Sequence, residues 1–512
     1  MPQKTKELKT ADFINDRRVI DCMTQLKTHF KEGTNPFVVS DVLDGEGRQY
    51  VNLVQKGGGV LGIALVGYTW VLEAMNIRFI RLAGTSAGAI NTALMTVIGK
   101  KEDAKSEKVL DSICKLEFIR LVDGHPVARR LISSFIKDPD FTGKIRRWIL
   151  GILIGLVLLL TGDIAFLGLQ KVFSWAPFAT KLCFTLTGVS ILILCILLSY
   201  MTDLLGKLKN AGFGINPGDY LYDWIKEQLA ANGVNTVTQL NAKAGADIAG
   251  LHLRIDNPEK LNGLKGDVTF IASELVTENK IQFPGMCKLF RKEADIDTLQ
   301  PAGFVRASMS IPIFFESYFI SNIPCQDPEI IQAWKELNED NPPSTTRFVD
   351  GGILSNFPIN LFYNPNVIVP RLPSFGIDLD DSKPDDSAND PEKWSPAGYF
   401  GRMFNTIRNY YDKDFLIKNK ILEKGIGTIP LADFNWLNFF LTDQNKIDMF
   451  VRGAEAATKF LIGFKWEDYK EDRSVMRKEL IQIQTPNAQK QNIQMPNAQT
   501  PASAPSGVFS KP

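Results

Sequence analysis

The chain has 512 residues, and its 58 Lys plus Arg and 57 Asp plus Glu give a formal net charge of +1, so it carries no overall electrostatic footprint for nucleic acid. Hydrophobic residues make up 45% and charged residues 22%, which excludes a largely disordered or fibrous chain. Six scattered cysteines have neither CxxC nor metal-like spacing. Neither a disulfide framework nor a metal site is therefore expected, and a reducing compartment suits the chain.

Residues 1–50 are polar and mixed in charge, and they predict an N-terminal extension with short helices. The first residues contain no apolar run of the kind that a cleaved secretory signal requires, so no such signal is expected.

From residue 51 onward, apolar runs alternate with glycine-rich turns. This alternation predicts an α/β fold with a mostly parallel central sheet and flanking helices. The predicted elements are a strand at 51–54, glycines at 57–59, a helix at 63–75, a strand at 79–82, a turn at 84–88 and a helix at 89–98.

Two long apolar runs follow, at 148–169 with Asp163 as the one charge and at 182–200 with none. A membrane-spanning helix needs about 20 apolar residues. Eight Lys or Arg flank the pair on the outside, against two between the runs, which predicts two spans with the bulk of the chain in the cytoplasm. The alternative is a hydrophobic hairpin that covers an apolar pocket of a soluble protein.

The remainder of the chain returns to mixed composition. Strands are predicted at 268–272 and 347–350, an acidic loop at 374–395, a mostly helical part at 365–463 that completes the fold, and a helical extension at 464–482. The tail 483–512 is rich in Gln, Pro, Asn and Ala, so it is predicted to be disordered.

The turn at 84–88 has the pattern G-x-S-x-G, formed by Gly84, Ser86 and Gly88. Small flanking residues permit a tight strand-to-helix turn that presents the serine hydroxyl. The pentapeptide alone is weakly specific, but here it follows a predicted strand and precedes a predicted helix. The context favours Ser86 as a nucleophile.

The glycine-rich loop 57–62 also lies between a predicted strand and a predicted helix. Its free N–H groups suit an oxyanion hole or a phosphate. It lacks the G-K-[ST] of a Walker A loop, and although it matches G-x-G-x-x-G, the nearest acidic residue, Glu73, falls within the predicted helix rather than at a strand end. A dinucleotide site is therefore the weaker interpretation.

A serine nucleophile needs a base. His29, His125 and His252 are the only histidines, and none lies in a convincing motif. Asp350 is the stronger candidate, because it ends an apolar strand and is followed by two glycines, which lets it reach a hydroxyl at a sheet edge. The alternative is an ordinary Asp-Gly turn.

Together, the glycine-rich loop, the G-x-S-x-G turn and the D-G-G triplet resemble, in this order, the patatin-like phospholipase family. The resemblance covers roughly residues 51–364, with an inserted segment at 130–210 that holds the transmembrane hairpin, as in a bacterial-type member. The segments 307–315 and 355–358 add to it. It implies a three-layer α/β/α fold and a Ser–Asp dyad without cofactor or metal.

The resemblance also implies a role for each motif residue. Ser86 would be the nucleophile and Asp350 the proton acceptor. The oxyanion hole would be formed by Gly57, Gly58, Gly59, Gly62 and Ala87, and the motif glycines would be Gly84, Gly88, Gly351 and Gly352. The chain departs from the family at Leu61, where members usually carry Arg or Lys.

We therefore expect a membrane-anchored lipid acyl hydrolase of the phospholipase A or lysophospholipase type, with membrane lipids as substrate and no nucleic-acid partner. Two alternatives remain open from the sequence. One is an α/β-hydrolase-type esterase with a Ser–His–Asp triad that uses His125 or His252. The other is a non-catalytic lipid-binding membrane protein.

Overall fold

The structure is a computed structural model, and it describes residues 8–31, 34–124, 141–169, 172–173, 176–210, 212–254, 264–382 and 396–476. His125, the tail predicted at 483–512 and the basic flank before residue 141 lie outside these residues.

The described residues form helices and strands in alternation. The helices are α1 (Thr10–Ile14), α2 (Arg17–His29), α3 (Gly62–Ala74), α4 (Ala87–Val97), α5 (Ser106–Cys114), α6 (Phe141–Leu169), α7 (Ala176–Asn210), α8 (Asp219–Ala231), α9 (Val237–Ala244), α10 (Pro301–Ser308), α11 (Pro328–Lys335), α12 (Pro396–Lys418) and α13 (Asp443–Gly463). The strands are β1 (Val42–Leu43), β2 (Gln49–Gln55), β3 (Ile77–Thr85), β4 (Gly214–Asn216), β5 (His252–Leu253), β6 (Asp267–Glu274), β7 (Lys280–Phe283), β8 (Ile313–Phe315), β9 (Tyr318–Ile320), β10 (Thr346–Asp350), β11 (Ser374–Asp380) and β12 (Ile426–Pro430).

Ten of the strands make one mixed sheet. Its centre is parallel, in the order β12-β11-β2-β3-β6, as the sequence predicts. The strands β1, β5, β7, β9 and β10 pair antiparallel around this centre. A separate two-stranded sheet joins β4 to β8.

Strands β3 and β10 meet end to end on one edge of β6. β3 pairs with β6 as far as Thr85 opposite Ile271, and β10 pairs antiparallel with the next residues and ends with Asp350 opposite Ala272. β7 occupies the other edge of β6 at the same level. Two strands that run toward each other therefore stop at the same point.

The sheet is covered on both faces, which gives the three-layer arrangement. Along β2, Val51 and Leu53 belong to the main core with α3, α4 and α13, whereas Tyr50 and Val54 belong to smaller clusters on the opposite face. This alternation follows from the two-residue period of a strand. Phe415 of α12 packs on the second face.

The prediction of a loop over 374–395 is wrong for its first seven residues, which form strand β11 between β2 and β12. Phe375, Ile377 and Leu379 are buried, and Asp378 and Asp380 are only half-buried. The acidic side chains are thus alternate residues of a strand rather than members of a solvated loop.

Helices α6 and α7 form an antiparallel hairpin, in which α6 begins before the first apolar run and ends with it, and α7 extends beyond the second run at both ends. By length and composition, Arg146–Leu169 and Ala176–Lys209 are candidates to cross a membrane, and only 6% and 11% of their most apolar stretches are buried. A hairpin that covered an apolar pocket would be mostly buried. Here the large apolar side chains point outward, into the surroundings.

Asp163 is turned into the contact between the two helices. It is 5% exposed, it lies next to the thiol of Cys183, and that thiol donates to the carbonyl of Leu159 across the hairpin at 3.5 Å. Gly162 brings the helices together here, because a Cβ at this position would lie 3.2 Å from the Cys183 sulfur. The carboxyl group is thereby kept away from the outward apolar surface.

Helix α13 packs on α3 at a distance that only glycine permits. A Cβ on Gly453 would collide with the carbonyl of Ala64, and a Cβ on Gly67 would collide with that of Phe450. Because α3 begins at the glycine-rich loop, this contact fixes the position of the loop.

We predict that Gly453→Ala destabilises the protein by about 1–3 kcal/mol, because the added methyl overpacks a close helix contact. Gly463→Ala is the matched control, since it lies at the end of the same helix with nothing within 4 Å of its Cβ position. Thermal unfolding of the two purified variants is the measurement. Equal melting temperatures for both would contradict this account of the α3–α13 contact.

Candidate active site

Ser86 lies at the sharp turn between β3 and α4. Its backbone has φ 54° and ψ −123°, a conformation that residues other than glycine rarely adopt. The flanking glycines are required sterically: a Cβ on Gly84 would meet Gly88, and a Cβ on Gly88 would lie 2.8 Å from the carbonyl carbon of Gln55. The sequence prediction of a strand–turn–helix at this point is confirmed.

Asp350 ends β10, opposite the end of β3. Its carboxylate accepts a 2.6 Å hydrogen bond from the N–H of Gly352. A Cβ on Gly351 would collide with Ile271, and one on Gly352 would lie 2.7 Å from the Asp350 carboxylate. Both glycines of the triplet are thus needed for the turn that brings the carboxylate to the serine.

Ser86 and Asp350 are close together and nearly inaccessible, with 3% and 6% of their surfaces exposed. The Ser86 hydroxyl donates to the sulfur of Met309 at 3.1 Å, and it lies near enough to the Asp350 carboxylate to lower the pKa of that group. The Ser86 N–H donates to the hydroxyl of Ser308 at 2.9 Å. The geometry pairs a hydroxyl with a buried carboxylate.

Burial raises the pKa of Asp350 above its usual value, since the charged form loses hydration. Three groups oppose this shift by favouring the carboxylate: the Ser86 hydroxyl, the guanidinium of Arg408 and the N–H of Gly352. Arg408 comes from α12, where its Nε donates to the Gly352 carbonyl at 3.0 Å. A raised carboxyl pKa makes Asp350 a better proton acceptor than an exposed aspartate.

In the glycine-rich loop, some N–H groups are already engaged. Gly57 donates to the Asn356 carbonyl at 3.0 Å, and Gly62 donates to the carbonyl of Gly59. The N–H of Ala87 lies at the start of α4, where the first N–H groups of a helix have no intrahelical acceptor. Of the predicted oxyanion donors, Gly57 and Gly62 thus already have acceptors, whereas no backbone acceptor is described for the N–H groups of Gly58, Gly59 and Ala87.

Gly57 and Gly62 also have a structural role, which is separate from hydrogen-bond donation. A Cβ on Gly57 would lie 2.9 Å from the Ser86 Cβ, and one on Gly62 would lie 3.1 Å from the Cβ of Ala87. Both glycines let the loop approach the nucleophile turn. Leu61 is fully buried in the main core.

Two residues that sequence reasoning missed hold the loop in place. Asn356 donates its side-chain amide to the Gly57 carbonyl at 3.3 Å, while its own carbonyl accepts from Gly57. Trp436 covers the other end, where its carbonyl accepts from Val60 at 3.0 Å. Asn356 lies in a segment that the resemblance includes, but nothing in the sequence around Trp436 indicates this contact.

Ser308 and Met309 were likewise missed as site residues. Ser308 is the last residue of α10 and Met309 follows it. The guanidinium of Arg306, in the same helix, donates to the Ser310 hydroxyl at 2.7 Å and to the Pro217 carbonyl at 2.7 Å. Burial lowers the pKa of Arg306 to about 10. The segment after α10 thus connects the nucleophile to the chain that leaves the hairpin.

The histidines that the structure describes lie away from Ser86. His252 pairs through β1 with the first residue of β2, about 20 Å along the strand from the active-site end. His29 ends α2 and contacts Phe30. In the described ranges, no group of three or more His, Cys, Asp or Glu side chains could hold a metal ion.

Residues 53–363 match the model of one protein family, described as patatin-like phospholipase. This range is more than half of the chain and contains the loop, the serine turn and the Asp350 triplet. The chain belongs to the patatin-like phospholipase family. The fold expected from the sequence is confirmed with it.

Two individual proteins are similar to this patatin-like chain. The uncharacterized protein YqhO of Bacillus subtilis (strain 168) is 25% identical over 414 residues, which cover 80% of this chain and 98% of that protein. The crystal structure of VipD from Legionella pneumophila matches with a TM-score of 0.33 and 13% identity, over 91% of this chain and 82% of that one.

We predict that Arg408→Met shifts the acid limb of the pH–activity profile to higher pH, by on the order of one unit. Loss of the guanidinium removes a charge that lowers the pKa of Asp350, so the carboxylate protonates at higher pH and the base is lost there. Arg408→Lys keeps the charge and should shift the limb less. The measurement is kcat/KM for a water-soluble ester between pH 4 and 9. Acid limbs that coincide in the wild type, Arg408→Met and Arg408→Lys would contradict the assigned role of Arg408.

Proposed function

We propose that this patatin-like protein is a membrane-anchored lipid acyl hydrolase that cleaves carboxylic ester bonds by a Ser86–Asp350 dyad. Family membership supports hydrolysis of lipids as the general activity. The specific mechanism rests on one observation. Strands β3 and β10 meet end to end, and their ends bring a strained serine next to a buried carboxylate.

In the first half of the proposed reaction, the Ser86 hydroxyl attacks the acyl carbonyl and Asp350 accepts its proton. The tetrahedral intermediate collapses, the proton passes to the departing alcohol, and an acyl ester remains on Ser86. In the second half, Asp350 takes a proton from water as the water oxygen attacks the acyl ester, and when this intermediate collapses Asp350 returns the proton to the Ser86 oxygen and the fatty acid leaves.

The negative charge on the oxygen of each tetrahedral intermediate must be stabilised by hydrogen-bond donors. In this proposal, the N–H groups of Gly58, Gly59 and Ala87 supply them. Removing one such donor costs about 3–4 kcal/mol in other hydrolases. The contacts of Asn356 and Trp436 with the loop support a set of donors that is preorganised before substrate binds.

The proposed anchoring rests on the hairpin α6–α7. Two helices of sufficient length, with outward apolar surfaces and Asp163 enclosed between them, suit a bilayer better than water. Anchoring would keep the catalytic domain at a high effective concentration of its lipid substrate.

A Ser–His–Asp triad is the competing mechanism. Of its two candidate bases, His252 lies at the opposite end of the sheet from Ser86 and does not support it, and His125 lies outside the described residues. A non-catalytic lipid-binding role is less well supported, because a binding module has no use for a strained serine beside a carboxylate.

We predict that Ser86→Ala and Asp350→Asn each lower ester hydrolysis by at least about 10²–10⁴-fold, whereas Ala at His29, His125 or His252 does not. The first two substitutions remove the attacking group and the proton acceptor, and the histidine variants serve as controls for handling and folding. Turnover of a phospholipid in mixed micelles is the measurement. Near-normal turnover in Asp350→Asn would exclude the dyad.

We also predict that the hairpin inserts as two antiparallel spans, with residues 1–140 and 211–512 on the same side. In a background without the native cysteines, Trp175→Cys and Ser506→Cys should react with an impermeant maleimide from opposite sides of the membrane. The protein should also stay in the pellet after carbonate extraction at high pH. Release by carbonate, or labelling of both positions from one side, would make the hairpin a surface segment instead.

A further inference from the structure

A second apolar surface lies on the catalytic domain, apart from the hairpin. On α12, Met403, Ile407, Tyr410 and Ile417 are between 44% and 66% exposed. At 100° per residue they form one stripe along the helix. A stripe of this kind normally faces a core, but here it faces away from one.

The opposite side of α12 is tied to the active site. Arg408 donates to the Gly352 carbonyl, and Asp412 accepts from the hydroxyl of Ser355 at 2.7 Å and from the N–H of Phe357 at 2.8 Å. The helix therefore cannot turn its apolar stripe inward without breaking these contacts beside Asp350.

A continuous series of contacts joins α12 to the end of the hairpin. Tyr411 of α12 lies under the ammonium of Lys280, 4.2 Å from ring centre to nitrogen, and Lys280 pairs with Ser273 next to the turn that follows β6. On that turn, Leu275 donates to the carbonyl of Arg347 at 2.9 Å. The guanidinium of Arg347 lies 5.5 Å from the ring of Phe213, three residues after α7 ends.

Exposed apolar side chains lie on and beside this series. Phe213, Leu275, Val276, Ile313 and Phe319 are each more than 40% exposed. Phe213 and Ile313 have φ values of 62° and 70°, in the left-handed region that a β-branched residue such as isoleucine rarely adopts. These five residues form an apolar rim, and strain is retained at two of its exposed members.

The length of α7 sets how far this rim lies from the apolar part of the hairpin. The uncharged run ends at Tyr200, and the remaining ten residues of the helix span about 15 Å at 1.5 Å per residue. A bilayer adds headgroup layers of about 5–8 Å on each side of its hydrocarbon core. An upright α7 would therefore end about 7–10 Å outside the headgroup layer, and the rim reaches that layer only if α7 tilts by about 60° from the bilayer normal.

We propose that the outer face of α12, together with the apolar rim, lies on the surface of the bilayer that the hairpin spans. This inference rests on the proposed membrane anchoring. The partner is a lipid surface, because exposed apolar side chains lie both on α12 and beside the contacts that join α12 to the hairpin end. Docking turns that edge toward the lipids, so the ester enters from the same leaflet.

A photoreactive residue tests the contact directly. We place p-benzoylphenylalanine at position 407 of the full chain in nanodiscs of phosphatidylcholine and phosphatidylglycerol, and at position 20 as the matched control. Ile20 is similarly exposed at 50%, but it lies on α2, whose buried residues belong to the core that contains α3 and α13. After irradiation, the expected result is a phospholipid adduct at 407 and none at 20.

Other adducts at 407 overturn the proposal. A crosslink to a second copy makes this face a dimer interface, and a crosslink to a distant segment of the same chain means that the chain covers its own helix. Equal lipid adducts at 407 and 20 mean non-specific contact. These readouts do not use hydrolysis, so loss of the proposed catalytic function would leave them unchanged.

A kinetic test complements the adducts. The double variant Met403→Glu with Ile407→Glu should lower the ratio of turnover on vesicle phospholipid to turnover on a water-soluble ester by about tenfold, since charge replaces apolar contact with lipid. Ile20→Glu should leave that ratio unchanged. An unchanged ratio in the double variant overturns the docking proposal. If the wild-type protein hydrolyses neither substrate, the proposed function is overturned instead.

Discussion

Ser86 has a backbone conformation of φ 54° and ψ −123°, and most of the catalytic domain is arranged to hold it there. The turn is possible because Gly84 and Gly88 let β3, β2 and α4 approach to distances that a Cβ would prevent. The hydroxyl of Ser308 then accepts the Ser86 N–H. Backbone strain costs of order 1–3 kcal/mol, so it persists only where the surrounding contacts impose it.

The same constraint explains why distant parts of the chain converge on one point. Strand β10 brings Asp350 from the opposite direction, α12 stabilises its carboxylate through Arg408, and Asn356 fixes the glycine-rich loop beside it. Helix α13 packs closely on α3 at Gly453, and this contact fixes the glycine-rich loop from which α3 begins. Loop, serine and carboxylate are therefore positioned by packing and backbone hydrogen bonds, and the proposed chemistry needs no large rearrangement among them.

The local features of this site could be predicted from the sequence. The strand–turn–helix around Ser86 has a distinct pattern of small and apolar residues, and it folds as expected. The apolar strand that ends at Asp350 and the two glycines after it indicated a proton acceptor, and the resemblance supported it, but no sequence pattern shows that β10 runs antiparallel and ends opposite β3. Strand β11 was missed because the acidic residues concealed an alternation of Phe375, Ile377 and Leu379. The contacts of Arg408 and Trp436 depend on tertiary packing, which one sequence does not reveal.

Covalent labelling of the serine tests the central proposal most directly. The intact protein in nanodiscs is treated with a fluorophosphonate, digested and examined by mass spectrometry, and the rate of labelling is compared between wild type and Asp350→Asn. The account predicts one modified serine, Ser86, and labelling that is slower by about 10²-fold or more without the carboxylate. Modification of another serine, or an equal rate in Asp350→Asn, would contradict a nucleophile activated by Asp350.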